Sequence, residues 1–193
     1  MVRRFEVSST RVRIGIVQYT SRPTLVMRFG RTYARVQIYR VVERMKQRGR
    51  GVRYLGRALT YTGRYLFRSR PRCGRRKVLI VLTTGESRDR VRRPARRLFA
   101  SGVEIYAIGI GRVRRQSLLQ IATGSRHVFN VASRRLVSIT RIIKDRICSW
   151  PGKYISLIGH ERVTENAVAI LFLPFDFPHL KLGKKSIFHV WKC

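Results

Sequence analysis

Carboxylates and imidazoles are the usual raw material for chemistry, and in this chain they are few. The aspartates are Asp89, Asp145 and Asp176, in three unrelated segments, so no paired-carboxylate arrangement for acid–base work is spelled out. His127 opens an apolar run with no nucleophile beside it and reads as a packed or capping histidine, not a base. Cys73, Cys148 and Cys193 stand at unrelated spacings, with no Cys-x-x-Cys and no histidine near the first two. No metal site and no dense disulfide framework is expected; one bridge and free thiols both stay open. Gly109-Ile-Gly111 has two glycines of a dinucleotide fingerprint, lacks the third and follows the wrong strand, so it reads as a strand-end turn. No enzyme and no cofactor are expected.

What the chain carries in abundance is positive charge. Lys+Arg number 43 against 9 Asp+Glu in 193 residues, a net charge of +34. That balance suits contact with polyanions such as nucleic acid, heparin-like glycans or anionic lipid surfaces. The arginines are spread over nearly every segment, however, which is the pattern of a solvated surface. The best local cluster is Arg112, Arg114 and Arg115, beside the carboxyl end of an expected strand. A second group, Arg88, Arg90, Arg92, Arg93, Arg96 and Arg97, is spread along a helical segment and cannot share one face. Aromatic residues are not interleaved with these, as a single-strand platform would need.

The elements that position these residues are organised around Lys77 to Gly111. Lys77–Thr83 is an apolar, β-branched run closed by Thr84-Gly85; a basic helical segment follows, stopped by Gly102, and Val103–Gly109 is a second strand run. Strand, helix, strand over about 35 residues is a βαβ unit with parallel strands, covered by helices on both faces. Upstream, Val12, Ile14 and Ile16 alternate into a strand, and Thr24–Phe29 reads as its antiparallel return after Ser21-Arg22-Pro23. Ile38, Val42 and Met45 mark a helix over 34–48, and Leu55, Ala58, Leu59, Thr62 and Leu66 a second. Downstream come a short helix at Leu118 and Ile121, a strand at His127–Val131, and an amphipathic helix on Leu136, Ile139, Ile143 and Ile147. The composition changes after Cys148, so 1–148 is expected to form one domain and 149–193 an appended tail. The tail's apolar run, Ala167–Leu173, is far too short to cross a bilayer, and Met1-Val-Arg-Arg-Phe-Glu does not read as a signal peptide.

In that order of elements the wording is specific. Ile14-Gly-Ile-Val-Gln-Tyr19, Tyr54-Leu-Gly-Arg-Ala-Leu59, Lys77–Gly85, Pro94–Gly111 and His127-Val-Phe resemble successive motifs of a von Willebrand factor type A domain. The flavour is that of collagen-associated and matrilin- or cochlin-like extracellular matrix proteins, over roughly residues 5–147. The resemblance implies an α/β fold: a doubly wound, mostly parallel, Rossmann-like sheet with helices on both faces and ligands at the carboxyl ends of the strands, where open α/β sheets bind them. It also implies that the family's leading strand is missing here. Two ligand positions of the family's metal-ion-dependent adhesion site match Arg53 and Thr84. A hard divalent cation needs oxygen ligands, so no metal is expected there.

The function implied is a non-catalytic adhesion or matrix-binding module, extracellular by resemblance, with matrix or collagen-like protein partners. The alternatives are an electrostatic binder of heparin-like glycans or nucleic acid, and a partial translation with no independent function. Ala167–Leu173 is expected to be an exposed, aggregation-prone strand segment; in a second reading it fills the sheet position left by the missing strand.

Overall fold

The computed structural model describes residues 12–29, 35–45, 52–68, 76–132, 136–148 and 166–172. In chain order these form β1 (Val12–Tyr19), β2 (Pro23–Met27), α1 (Arg35–Glu43), α2 (Leu55–Tyr65), β3 (Arg76–Thr83) and α3 (Arg92–Ala100). β4 (Val103–Ile110), α4 (Arg115–Leu119), a 3-10 turn at Ser125–His127, β5 (Val128–Val131), α5 (Leu136–Cys148) and β6 (Asn166–Phe172) follow. Cys73 and Cys193 lie outside the described residues.

Among the described residues, one six-stranded sheet takes all the strands, in the order β2-β1-β6-β3-β4-β5. β2 is antiparallel to β1 at one edge, and the remaining pairings are parallel. This is the mostly parallel, helix-covered α/β sheet that the motif series implies. β2 opens on Pro23, one residue ahead of the expected return strand; proline has no N–H for a ladder and is tolerated at the first residue of an edge strand.

Alternation along the strands divides the core in two. Val17, Tyr19, Leu79, Val81, Ile105 and Ala107 face α2, α3 and α4. Ile14, Ile16, Val78, Ile80, Ile108 and Ile110 face α1 and α5. Nearly all of β3 is buried, which is why it reads as an unbroken apolar run and not as an alternating one. The helices meet the sheet through the residues that their periodicity singles out: Leu55, Ala58, Leu59 and Thr62 from α2, Ile139, Ile143 and Ile147 from α5. α1 is shorter than 34–48, although Met45, two residues past its end, is still buried.

The main departure is β6. Residues 166–172 do not form an exposed segment; they run up the middle of the sheet, parallel to β1 on one side and β3 on the other. Ala169 is buried on the α2 side and Ile170 on the α5 side. The physical reason is the demand of the neighbours: β1 and β3 each carry apolar residues on both faces and an unpaired ladder edge, and only another strand satisfies both. The second reading of Ala167–Leu173, as filler of a vacant sheet position, is the one observed.

Candidate functional site at the carboxyl ends of the strands

β1, β3 and β4 end on the same side of the sheet, and the loops leaving them meet there. The α2 amino terminus has no capping side chain of its own. Its free N–H groups are taken instead by the loop after β3: Leu55 N donates to Ser87 Oγ (2.9 Å), Gly56 N to Asp89 Oδ1 (2.9 Å) and Arg57 N to Asp89 Oδ2 (2.7 Å). A carboxylate at a helix amino end also opposes the positive end of the helix dipole. Tyr54 N donates to the Thr20 carbonyl (3.1 Å) and Arg88 N to the Arg53 carbonyl (2.9 Å), tying the entry to α2 to both strand ends. No sequence signal marks this cap, because donor and acceptor lie more than 30 residues apart.

Arg53, just before α2, and Thr84, just after β3, the positions that the resemblance singles out, both lie at this end of the sheet. The Arg53 guanidinium lies over Gly85, the residue after Thr84; a Cβ on Gly85 would sit 3.0 Å from its Nη1. Tyr19, at the end of β1, is 1% exposed, with its hydroxyl buried next to the Thr83 side chain. Burial drives its pKa well above the ordinary phenol value, against the pull of the Thr83 hydroxyl and the Arg53 charge.

Beside this lies a cleft of about 300 Å³ between the loops that follow β3 and β4, with Glu86, Ser87, Asp89, Arg114 and Ser117 on its walls. Its charges are already paired. Arg114 reaches across 28 residues to grip Glu86 with Nε and Nη2, and Ser117 Oγ donates to Glu86 Oε1 (3.1 Å). The Arg114 hydrogen bond holds the Glu86 carboxyl below its usual range. Of the expected arginine cluster, then, Arg114 is engaged by a carboxylate, Arg115 lies within 3.5 Å of the Ser125 carbonyl, and Arg112 is exposed. In the second group all six arginines are exposed, Arg88 and Arg90 in the loop and the other four along α3, whose Ala95 and Leu98 face the core.

His127 stands away from this cleft, towards the amino ends of the strands. Its Nε2 lies 2.7 Å from Glu104 Oε1, and its ring packs 4.6 Å from that of Tyr106. Glu104 also accepts from the Arg76 guanidinium and from the Tyr106 hydroxyl (2.9 Å). Gly111 takes a left-handed φ of 81° and donates its N–H to the Val131 carbonyl (2.8 Å). Gly109 leaves room that a Cβ would take from Leu118 and Val113, at 2.9 Å from each. Gly111 serves the turn, whereas Gly109, inside β4, serves the close approach of Leu118 and Val113.

Compared with known proteins, residues 1–142 match the family model of the von Willebrand factor type A domain. The collagen alpha-4(VI) chain of Mus musculus is 33% identical over 161 residues, 81% of this chain and 7% of its own length. Vitrin of Mus musculus is 37% identical over 120 residues, 62% of this chain and 18% of its own. The chain therefore spans a small part of these relatives. Among solved structures, proximal thread matrix protein 1 from the mussel byssus, with a zinc-occupied MIDAS motif, superposes with a TM-score of 0.66 at 24% identity, over 70% of this chain and 36% of that one.

Proposed function

The chain belongs to the von Willebrand factor type A domain family, and from that premise we propose that it is a non-catalytic, extracellular module that binds matrix or collagen-like proteins without a metal ion. Relatives in collagen VI chains and vitrin support the matrix setting. The observation that carries the metal-free part is the Arg53 guanidinium lying on Gly85 at the strand ends. A hard cation needs several free oxygen ligands. Here Asp89 is committed to the α2 amino terminus and Glu86 to Arg114 and Ser117, and a fixed positive charge stands beside them. These residues do not fit a divalent cation, and recognition is left to side-chain and backbone hydrogen bonds around the cleft.

The test is capture of the purified chain on immobilised collagen-like and other matrix proteins, with and without EDTA. Binding that is equal in both, and a melting temperature that Mg²⁺ leaves unmoved, are expected. Binding that disappears in EDTA would sink the metal-free reading.

A second reading rests on the exposed arginines of α3 and the loop before it. Six exposed guanidinium groups within ten residues suit a sulfated glycan. Capture on heparin should then exceed that of an unrelated protein of equal charge and fall steeply with salt.

A further inference from the structure

Among the described residues, β6 is held by its sheet neighbours β1 and β3. It is paired over its whole length with β1, from Val12↔Asn166 to Gln18↔Phe172, and with β3, from Arg76↔Asn166 to Leu82↔Phe172. Parallel pairing on both sides means that no hairpin ties it to either. Its covalent tie to the rest of the fold is residues 149–165, whose 17 residues have a contour of roughly 60 Å. The two ends of that connection nevertheless meet at one point. The Arg76 guanidinium donates to the carbonyls of Arg146 and Ile147 at the end of α5, and Arg76 itself is in register with Asn166. The connection is several times longer than the gap it has to cross.

We propose that the seam between β1 and β3 is a strand-acceptor site whose occupant in trans is a second copy of this chain: residues 166–172 of one molecule enter the sheet of another, and the exchange is reciprocal. The seam demands a strand, since without one it presents two open ladder edges and apolar residues on both faces. It is also selective. Gly15 and Ala169 lie side by side in register, and a Cβ on Gly15 would already meet Leu66 at 3.0 Å and Phe29 at 3.1 Å. Next to Gly15 that level of the sheet holds Ala169, with Leu79 of β3 on its other side, and the opposite face takes Ile170. A second copy brings that alternation in the right register. In cis the strand is presented at an effective concentration on the order of millimolar, so dilute molecules close on themselves. Exchange arises when chains fold crowded together, and it then persists, because reversal means withdrawing a central strand. This inference is independent of the metal-free binding reading.

The experiment uses two full-length variants, each broken on one side of the exchange. Ile170→Pro spoils the strand, and Ile80→Pro spoils the body that receives it, since proline has no ladder N–H. Each refolded alone should keep under about a tenth of the native near-UV circular dichroism. Refolded together they should regain about half of it per chain, as one native body for every two chains in a two-chain species. A synthetic peptide of residues 162–176 should likewise restore Ile170→Pro, and a scrambled peptide should not. A mixture no more native than its parts overturns exchange between copies, even if the peptide succeeds. An Ile170→Pro chain that folds fully by itself overturns the acceptor seam altogether.

Discussion

Gly56, the second residue of α2, shows how one position can set two effects against each other. Alanine there gains about 1 kcal/mol of helix propensity over glycine. Its Cβ, however, would stand 2.3 Å from the Arg90 carbonyl oxygen, a backbone atom that cannot swing aside. Overpacking of this kind costs about 1–3 kcal/mol, and the same shift would pull the α2 N–H groups off Asp89. Gly56→Ala should therefore lower the unfolding free energy by about 2 kcal/mol in urea titrations, opposite in sign to the propensity argument alone. Glu104 gives the pH dependence. Burial works to raise its carboxyl pKa, and the His127 hydrogen bond, the Arg76 charge and the Tyr106 hydroxyl together outweigh it, so the value lies below the ordinary range. A carboxyl depressed on folding contributes stability above its unfolded pKa of about 4.3 and loses it as pH falls through the folded value. Urea midpoints measured downward from about pH 5 should drop through this window, and Glu104→Gln should flatten part of that slope.

At the scale of elements, the two faces of the sheet carry separate cores, and mutations in them should not feel each other. Leu59 of α2 and Ile143 of α5 are both fully buried, on opposite sides. Leu59→Ala and Ile143→Ala should each cost about 2–5 kcal/mol. The double variant should match their sum to within about 0.5 kcal/mol by chemical denaturation. These helices are legible in the sequence because the residues that bury them recur at helical spacing, and β3 and β4 because parallel strands buried on both faces are apolar throughout. The position of β6 is not legible in that way. An apolar run of seven residues announces a strand, but its place in the sheet is set by partners about 90 and 150 residues away, which local periodicity does not carry. The capping of α2 by Ser87 and Asp89 is hidden for the same reason. So is the pairing of Arg114 with Glu86, which takes one arginine out of the cluster that charge alone picks out.

For the whole molecule, self-repulsion is the long-range electrostatic effect that the net charge predicts. A net charge of +34 disfavours the compact state, and added salt screens it over a Debye length that falls to about 8 Å at physiological ionic strength. Raising NaCl from about 20 to about 300 mM should stabilise the fold by about 1 kcal/mol, which for a chain of this size is about 2–4 °C in melting temperature. A melting temperature that stays flat or falls would mean that specific ion pairs such as Arg76–Glu104 outweigh the general repulsion.

The parallel pairing of β1 with β6 also has a mechanical meaning. Tension entering at Val12 and leaving at Phe172 pulls on opposite ends of two adjacent strands, so its line runs along the ladder. The hydrogen bonds between the strands are then loaded in shear, all together, instead of being unzipped one after another from an end. β3 grips β6 over the same seven residues from the other side, so the strand that bears the load is clamped twice. Resistance to forced extension is a matter of unfolding rate and not of equilibrium stability. A sheet closed in this way can be modest in thermodynamic stability and still hold under stretch.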